Sequence, residues 1–164
     1  MSVGASSTPG ALEGLRVLEV ASPFTQYCGK MLAELGAEVI LVEPPGGSLV
    51  RQVPPWIGGV PGTERSLAYN YFNTSKQGIT LDLSREQGQA LFHRLATSVD
   101  IVLEGEKPGV MAGWNCGYPH LAKLKSSLIM TSVTGFGQSG PWAQYEAEDL
   151  VGLATGGFLY LGGF

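Results

Sequence analysis

The chain has 164 residues, of which 44% are apolar and 15% charged, enough for one globular domain with a real core and a surface somewhat poor in charge. A net charge of −4 offers no basic footprint for nucleic acid. No apolar run reaches the length of a membrane span, and the N-terminus lacks the charged and apolar regions of a secretion signal.

Met1 to Ala11 reads as a flexible leader, and residues 12–164 as one α/β domain. Arg16 to Val20, RVLEV, is a strand suited to burial on both faces. Ser22-Pro23 supplies an N-cap and a proline at the first helical position, and Tyr27, Cys28, Met31, Leu32 and Leu35 form the apolar stripe of the helix that follows. Gly36 ends this helix as a residue free to take positive φ, and Glu38 to Val42 is the second strand. A strand, helix and strand at this spacing form a right-handed βαβ unit with parallel strands.

The next segment, Gly46 to Arg65, is rich in Gly and Pro and has no periodicity. A loop this long belongs at the carboxyl end of the second strand, on the side where open α/β sheets bind ligands, with Trp56 packed against the body. Leu67 to Phe72 reads as a helical turn and Gly78 to Asp82 as a strand. Ser84 to Gln87 matches a capping box opening a helix with Leu91, Phe92, Leu95 and Val99 on one face. Ile101 to Leu103 is a strand, Val110 to Gly113 a helical turn, Pro119 the start of a helix carrying Leu121 and Leu124, and Ser127 to Val133 a strand. A last helix from Glu146 turns Leu150, Val151 and Ala154 inward. This alternation predicts a Rossmann-like, doubly wound, mostly parallel sheet with helices on both faces.

Several stretches carry candidate chemistry. Gly135 to Gly140 matches G-x-G-x-x-G after a strand, but Pro141-Trp142 interrupts any helix and no acid follows Asp149, so a glycine-rich loop is preferred to a dinucleotide site. Lys76, in the Asn73 to Lys76 turn before a strand, reads equally as a phosphate contact or as a solvated turn lysine, and Lys107-Pro108-Gly109 has the same two readings. His93 and His120 stand beside no nucleophile or second ligand in the sequence, Cys28 and Cys116 have no metal-ligand spacing, and no metal is expected. Two cysteines, one on a buried helix face, suit reduced thiols in a cytoplasm. Asp149, beside Glu148 at a helix start, reads as a structural dipole partner.

Five segments in order, LEGLRVLEVAS, LAELGAEVILVEPPGG, FNTSKQGITLDL, REQGQALFHRLATSVDIVLEGEKPGV and SLIMTSVTGFGQSGPW, resemble the N-terminal part of family III CoA-transferases, the CaiB/BaiF group. The resemblance runs from about Leu12 to the end. It implies an interlocked homodimer and transfer of coenzyme A from an acyl-CoA to a carboxylic acid through anhydride and thioester intermediates on an aspartate. It also implies that Asn73 and Lys76, in an N-x-x-K segment, line the CoA site together with Lys107, Pro108 and Gly109.

Three departures accompany the match. Ser22-Pro23-Phe24 replaces the family's A-G-P, Gly113 stands where an arginine often contacts CoA, and Glu148 stands where related racemases carry a histidine. The family's nucleophilic aspartate lies in a G-D or A-D segment beyond the glycine-rich stretch at residues 156–163. The expectation is therefore an N-terminal portion, incomplete at its C-terminus and inactive alone. Its partner would be the remaining part of the same enzyme or a second subunit, and a non-catalytic half that completes a dimer or tandem protein is the alternative.

Overall fold

The computed structural model describes residues 9–163. In chain order the elements are β1 (Arg16–Val20), α1 (Gln26–Glu34), β2 (Glu38–Glu43), α2 (Leu67–Phe72), β3 (Gln77–Thr80), α3 (Glu86–Ser98), β4 (Ile101–Glu104), α4 (Val110–Gly113), α5 (Tyr118–Leu124), β5 (Ile129–Ser132), α6 (Asp149–Thr155) and α7 (Phe158–Leu161). Two short 3₁₀ turns, Leu49–Gln52 and Ile57–Gly59, interrupt the long segment after β2. The strands make one parallel sheet in the order β3-β2-β1-β4-β5.

The two-residue period of the central strands decides the layers. Leu18 and Val20 of β1, Ile40 and Val42 of β2 and Val102 of β4 pack with Phe92 and Ala96 of α3, Val99 and Leu121 of α5. Val17, Val39 and Leu103 point the other way and pack with Ala33 of α1 and Ala37. Register keeps the two sets apart, with Val17 level with Val39 and Ile101, and Leu18 level with Ile40 and Val102. The strand order runs outward in both directions from β1, so the connections diverge between β1 and β4. A crevice must open there at the carboxyl ends.

The leader expectation falls mainly on residues 1–8, which lie outside the described residues. Gly10 packs its backbone against Leu35 and Gly36, and Gly36 takes φ +106° as the end of α1 requires. The segment 46–65 does leave from the carboxyl end of β2. Trp56 within it is partly buried, with its indole Nε1 enclosed.

Four local readings need correction. α1 starts at Gln26, not Pro23, because Ser22 Oγ accepts from Phe24 N and donates to Gly105 O, which spends Ser22 on the turn. Its buried face is Gln26, Gly29, Lys30 and Ala33, whereas Tyr27, Cys28, Met31 and Leu35 are exposed. Periodicity locates an apolar stripe but not the body it meets, and the side of α1 facing the sheet covers a buried carboxylate and is therefore small and polar. The capping box at Ser84 does not form, since Ser84 N and Oγ both donate to Asp82 Oδ1 at 3.1 and 2.5 Å, and α3 begins two residues later. Finally, Leu91, Leu124, Leu150, Val151 and Ala154 are exposed.

Candidate functional site

Three of the five strands carry a glutamate where an apolar residue would be ordinary: Glu19, Glu43 and Glu104, each at most 6% exposed. A buried carboxylate needs a cation or several hydrogen-bond donors, and Glu19 and Glu43 have found them. Glu104 accepts from Glu106 N at 2.8 Å. Glu43 accepts from Ser48 N, Tyr69 Oη and two nitrogens of Arg51, whose guanidinium also lies 3.7 Å from the Tyr69 ring centroid. Burial works against its ionisation, but Arg51, Ser48 and Tyr69 outweigh it and hold the carboxyl down at about 2. Burial and the Glu43 carboxylate together push Tyr69 up to about 12. This knot fastens the 46–65 segment to the end of β2.

Glu19 is fully enclosed beneath α1. Its Oε2 lies 2.7 Å from Lys76 Nζ, and Oε1 lies 3.2 Å from Thr25 Oγ1. Lys76 Nζ also donates to Gln26 O at 2.9 Å and to Asn73 Oδ1 at 3.0 Å, and its side chain is 1% exposed. Burial pushes the Glu19 carboxyl up and the Lys76 ammonium down, each effect opposed by the charge of the other. α1 can lie this close only because residue 29 is glycine, where a Cβ would stand 1.8 Å from Glu19 Oε2.

The crevice at the switch point is a cleft of about 590 Å³ along the carboxyl ends of β1, β2 and β4. Val20, Phe24, Val42, Leu49, Leu81 and Trp114 give it apolar walls, and its polar groups include Ser22, Ser48, Asp82, Glu106 and Lys107. Burial and then the charge of Glu104 push the Glu106 carboxyl above the usual range. Lys107 is the one cationic side chain in the lining. It is mostly exposed and ion-paired with Glu146, while Gln144 Nε2 donates to Pro108 O. A smaller cavity of about 80 Å³ continues past Phe24, bounded by Gly105 to Pro108 and by Thr134, Gly135 and residues 143–147. Gly109 lies at the mouth of a third hollow beside α4 and α5.

The structure thus brings Lys107, Pro108 and Gly109 to the clefts and places Asn73 and Lys76 elsewhere. Neither of the latter lines any of the three hollows, and the Lys76 ammonium is held inside the protein by two hydrogen bonds and the Glu19 ion pair. The glycine-rich 135–140 segment is followed by turns and not by a helix, which removes the dinucleotide geometry. The fold also joins groups that are far apart in the chain. His93 and His120 stack at 4.6 Å, and Cys116 Sγ lies 3.9 Å from His93 Nε2. Because His93 Nε2 is also 2.9 Å from Asn115 O, which only accepts, that nitrogen carries its proton and is no base for the thiol. Burial pushes Cys116 up to about 11. Among the described residues no three His, Cys, Asp or Glu side chains gather as a metal site, and no helix is long and apolar enough to cross a membrane.

The buried glutamates, Arg51 and Tyr69 went unrecognised as a group at the sequence level. The available signal was an acid within RVLEV, EVILVE and IVLE, where burial on both faces demands a partner.

Residues 12–164, nearly the whole chain, match the profile of CoA-transferase family III. The chain belongs to that family. Among its family III relatives, succinyl-CoA–D-citramalate CoA-transferase from Chloroflexus aurantiacus is 42% identical over 95% of this chain. Subunit BbsE of succinyl-CoA:(R)-benzylsuccinate CoA-transferase from Thauera aromatica is 40% identical over 90% of it. A CaiB/BaiF family protein from Brucella suis, known from its crystal structure, superposes with a TM-score of 0.81 at 35% identity, covering 91% of this chain and 40% of that one. The chain spans 36% of the length of the Thauera relative and 38% of the Chloroflexus one.

Proposed function

We propose that this family III chain supplies the CoA-binding part of an enzyme that moves coenzyme A between carboxylic acids. The supporting observation is the 590 Å³ cleft at the switch point, apolar along its walls and with Lys107 at its edge. The walls suit the adenine and pantetheine portions of an acyl-CoA, and Lys107 meets a phosphate as a point charge once it leaves Glu146. Pro108 borders the smaller cavity and Gly109 the third hollow, while Lys107 borders all three. The two relatives named above carry succinyl-CoA in their names, which makes a dicarboxylic acyl donor the first choice.

In the proposed chemistry an aspartate carboxylate attacks the thioester carbonyl, forming an acyl–aspartyl anhydride and expelling the CoA thiolate. The thiolate then attacks the aspartyl carbonyl, releasing the donor acid and leaving an aspartyl–CoA thioester. The acceptor carboxylate attacks that thioester in turn, and the second anhydride is opened by the thiolate to give the new acyl-CoA and the free aspartate. Asp149 is not assigned this role. It sits exposed in the first turn of α6, outside the lining of all three hollows, so the nucleophile is assigned to another segment or subunit of the working enzyme.

Calorimetric titration of the chain with CoA tests the reading. Saturable binding that Lys107→Ala weakens supports it, and no binding up to millimolar CoA overturns it. Mass spectrometry after incubation with succinyl-CoA and an acceptor acid tests the second point, where turnover with a CoA adduct on Asp149 would reverse the assignment. The wide apolar exposure of α6 and α7 favours a second reading, a half that works only when joined to its complement. Under that reading CoA binds only after the complement is added.

A further inference from the structure

We infer that Glu19 and Lys76 form a positioning pair that sets the turn between β1 and α1 along the wall of the cleft, with Lys76 acting through that turn and not by touching CoA. The inference rests on the CoA reading of the cleft. Glu19 Oε1 is 3.2 Å from Thr25 Oγ1, and Glu19 Oε2 is 2.7 Å from Lys76 Nζ, which in turn holds Gln26 O at 2.9 Å. Two consecutive residues at the start of α1 are therefore pinned to one carboxylate. The three residues immediately before them, Ser22, Pro23 and Phe24, line the cleft, and Phe24 also divides it from the smaller cavity. Ser22 continues the tie across the switch point by donating to Gly105 O at 3.2 Å.

A direct contact between Lys76 and phosphate conflicts with this geometry. The Lys76 ammonium donates to Gln26 O at 2.9 Å and to Asn73 Oδ1 at 3.0 Å, and it lies 2.7 Å from the Glu19 carboxylate as its ion-pair partner. The side chain is 1% exposed, and turning it outward would leave Glu19, at 0% exposure, as a buried unpaired charge. Losing one member of such a pair is far more damaging than losing both.

The test compares Lys76→Met, Glu19→Gln and the double variant, each at a temperature where circular dichroism finds it folded. Binding of CoA and of uncharged pantetheine is measured, and backbone amide shifts are followed by NMR. The pair predicts that Lys76→Met moves the amides of Ser22, Phe24 and Thr25 and weakens CoA and pantetheine by the same factor. It also predicts that the double variant recovers most of both affinities. If Lys76→Met weakens CoA but leaves pantetheine unchanged, Lys76 is a phosphate ligand and the inference is overturned. Unmoved amides with unchanged affinities overturn it as well. Should Lys76→Met not fold, the double variant decides, because failure to recover wild-type amide positions and pantetheine affinity also overturns it. Wild-type protein that binds neither ligand defeats the CoA reading instead, and the amide shifts then judge the pair by themselves.

Discussion

Arg51 grips the carboxylate of Glu43 with two nitrogens, Nε on Oε1 at 2.8 Å and Nη2 on Oε2 at 2.6 Å. The pair is enclosed, with 14% and 7% of the two side chains exposed, so water does little to screen it. Its structural effect is to hold the 3₁₀ turn at Leu49–Gln52 against the end of β2, which places Ser48 and Leu49 on the cleft wall. Replacing Arg51 with Ala strands Glu43 in a buried site and is expected to cost about 3–5 kcal/mol. Urea unfolding of the variant measures this, and a loss under 1 kcal/mol would contradict it.

The same pair gives stability a pH dependence. The folded-state value of Glu43 is about 2, against about 4.5 for an ordinary glutamate. The folded state therefore binds a proton less readily than the unfolded state. The stabilisation is complete above roughly pH 5 and disappears as pH falls from about 4.5 toward 2, a change of roughly 3 kcal/mol. Unfolding free energies of wild type and Glu43→Gln across pH 2–6 should converge at the acid end. Parallel curves would contradict the assignment.

Gly29→Ala is a second test of the buried layer. Alanine gains up to about 1 kcal/mol over glycine in a helix interior. Here its Cβ would stand 1.8 Å from Glu19 Oε2 and 2.9 Å from Lys76 Nζ. The glutamate cannot swing aside without abandoning Thr25 and Lys76, so overpacking of roughly 1–3 kcal/mol exceeds the propensity gain. Net destabilisation in urea is expected, and a stabilised variant would mean that the pair is loose.

The sheet was legible because β-branched runs at regular spacing have one parallel solution, and all five strands fall where the pattern puts them. The facing of helices was less legible. In α1 the stripe residue Leu32 packs on the core, but Tyr27, Cys28, Met31 and Leu35 look outward, because the inward face must tolerate Glu19 and approach it through Gly29. The position of Lys107, Pro108 and Gly109 beside the hollows was legible because they follow β4 at its carboxyl end. The interior position of Lys76 could not, since its partner Glu19 lies 57 positions earlier and only the fold brings the two together. Local sequence likewise gave no way to choose between Ser84 capping a helix and Ser84 closing a turn on Asp82.

Lys107 is paired with Glu146 across the small cavity, with both side chains largely exposed. A CoA phosphate that takes Lys107 must displace Glu146. Glu146→Gln should therefore tighten CoA binding by roughly two- to fivefold at low ionic strength, the range of an exposed pair. The gain should vanish in high salt, where such pairs are screened, and should be absent with pantetheine. Equal tightening for pantetheine would show that Glu146 obstructs the cavity sterically, not electrostatically.

The apolar surface of α6 and α7 leads to the last prediction. Leu150 is 66% exposed, Phe158 65%, Tyr160 83% and Leu161 82%, and the neighbouring Leu153 and Leu159 are also exposed. These side chains lie within 12 residues on two short helices that touch each other, which concentrates exposed apolar surface in one part of the chain. Water disfavours such surface by about 25 cal/mol for each Å² left uncovered, which favours covering it with another protein surface. The 164-residue chain should associate as its concentration rises. Leu150→Glu combined with Phe158→Glu should reduce that association without lowering the stability of the sheet, because neither side chain belongs to either core cluster. Sedimentation velocity separates the outcomes. A wild-type chain that stays monomeric and binds no hydrophobic dye would contradict the prediction, and a double variant that unfolds would instead tie that surface to the core.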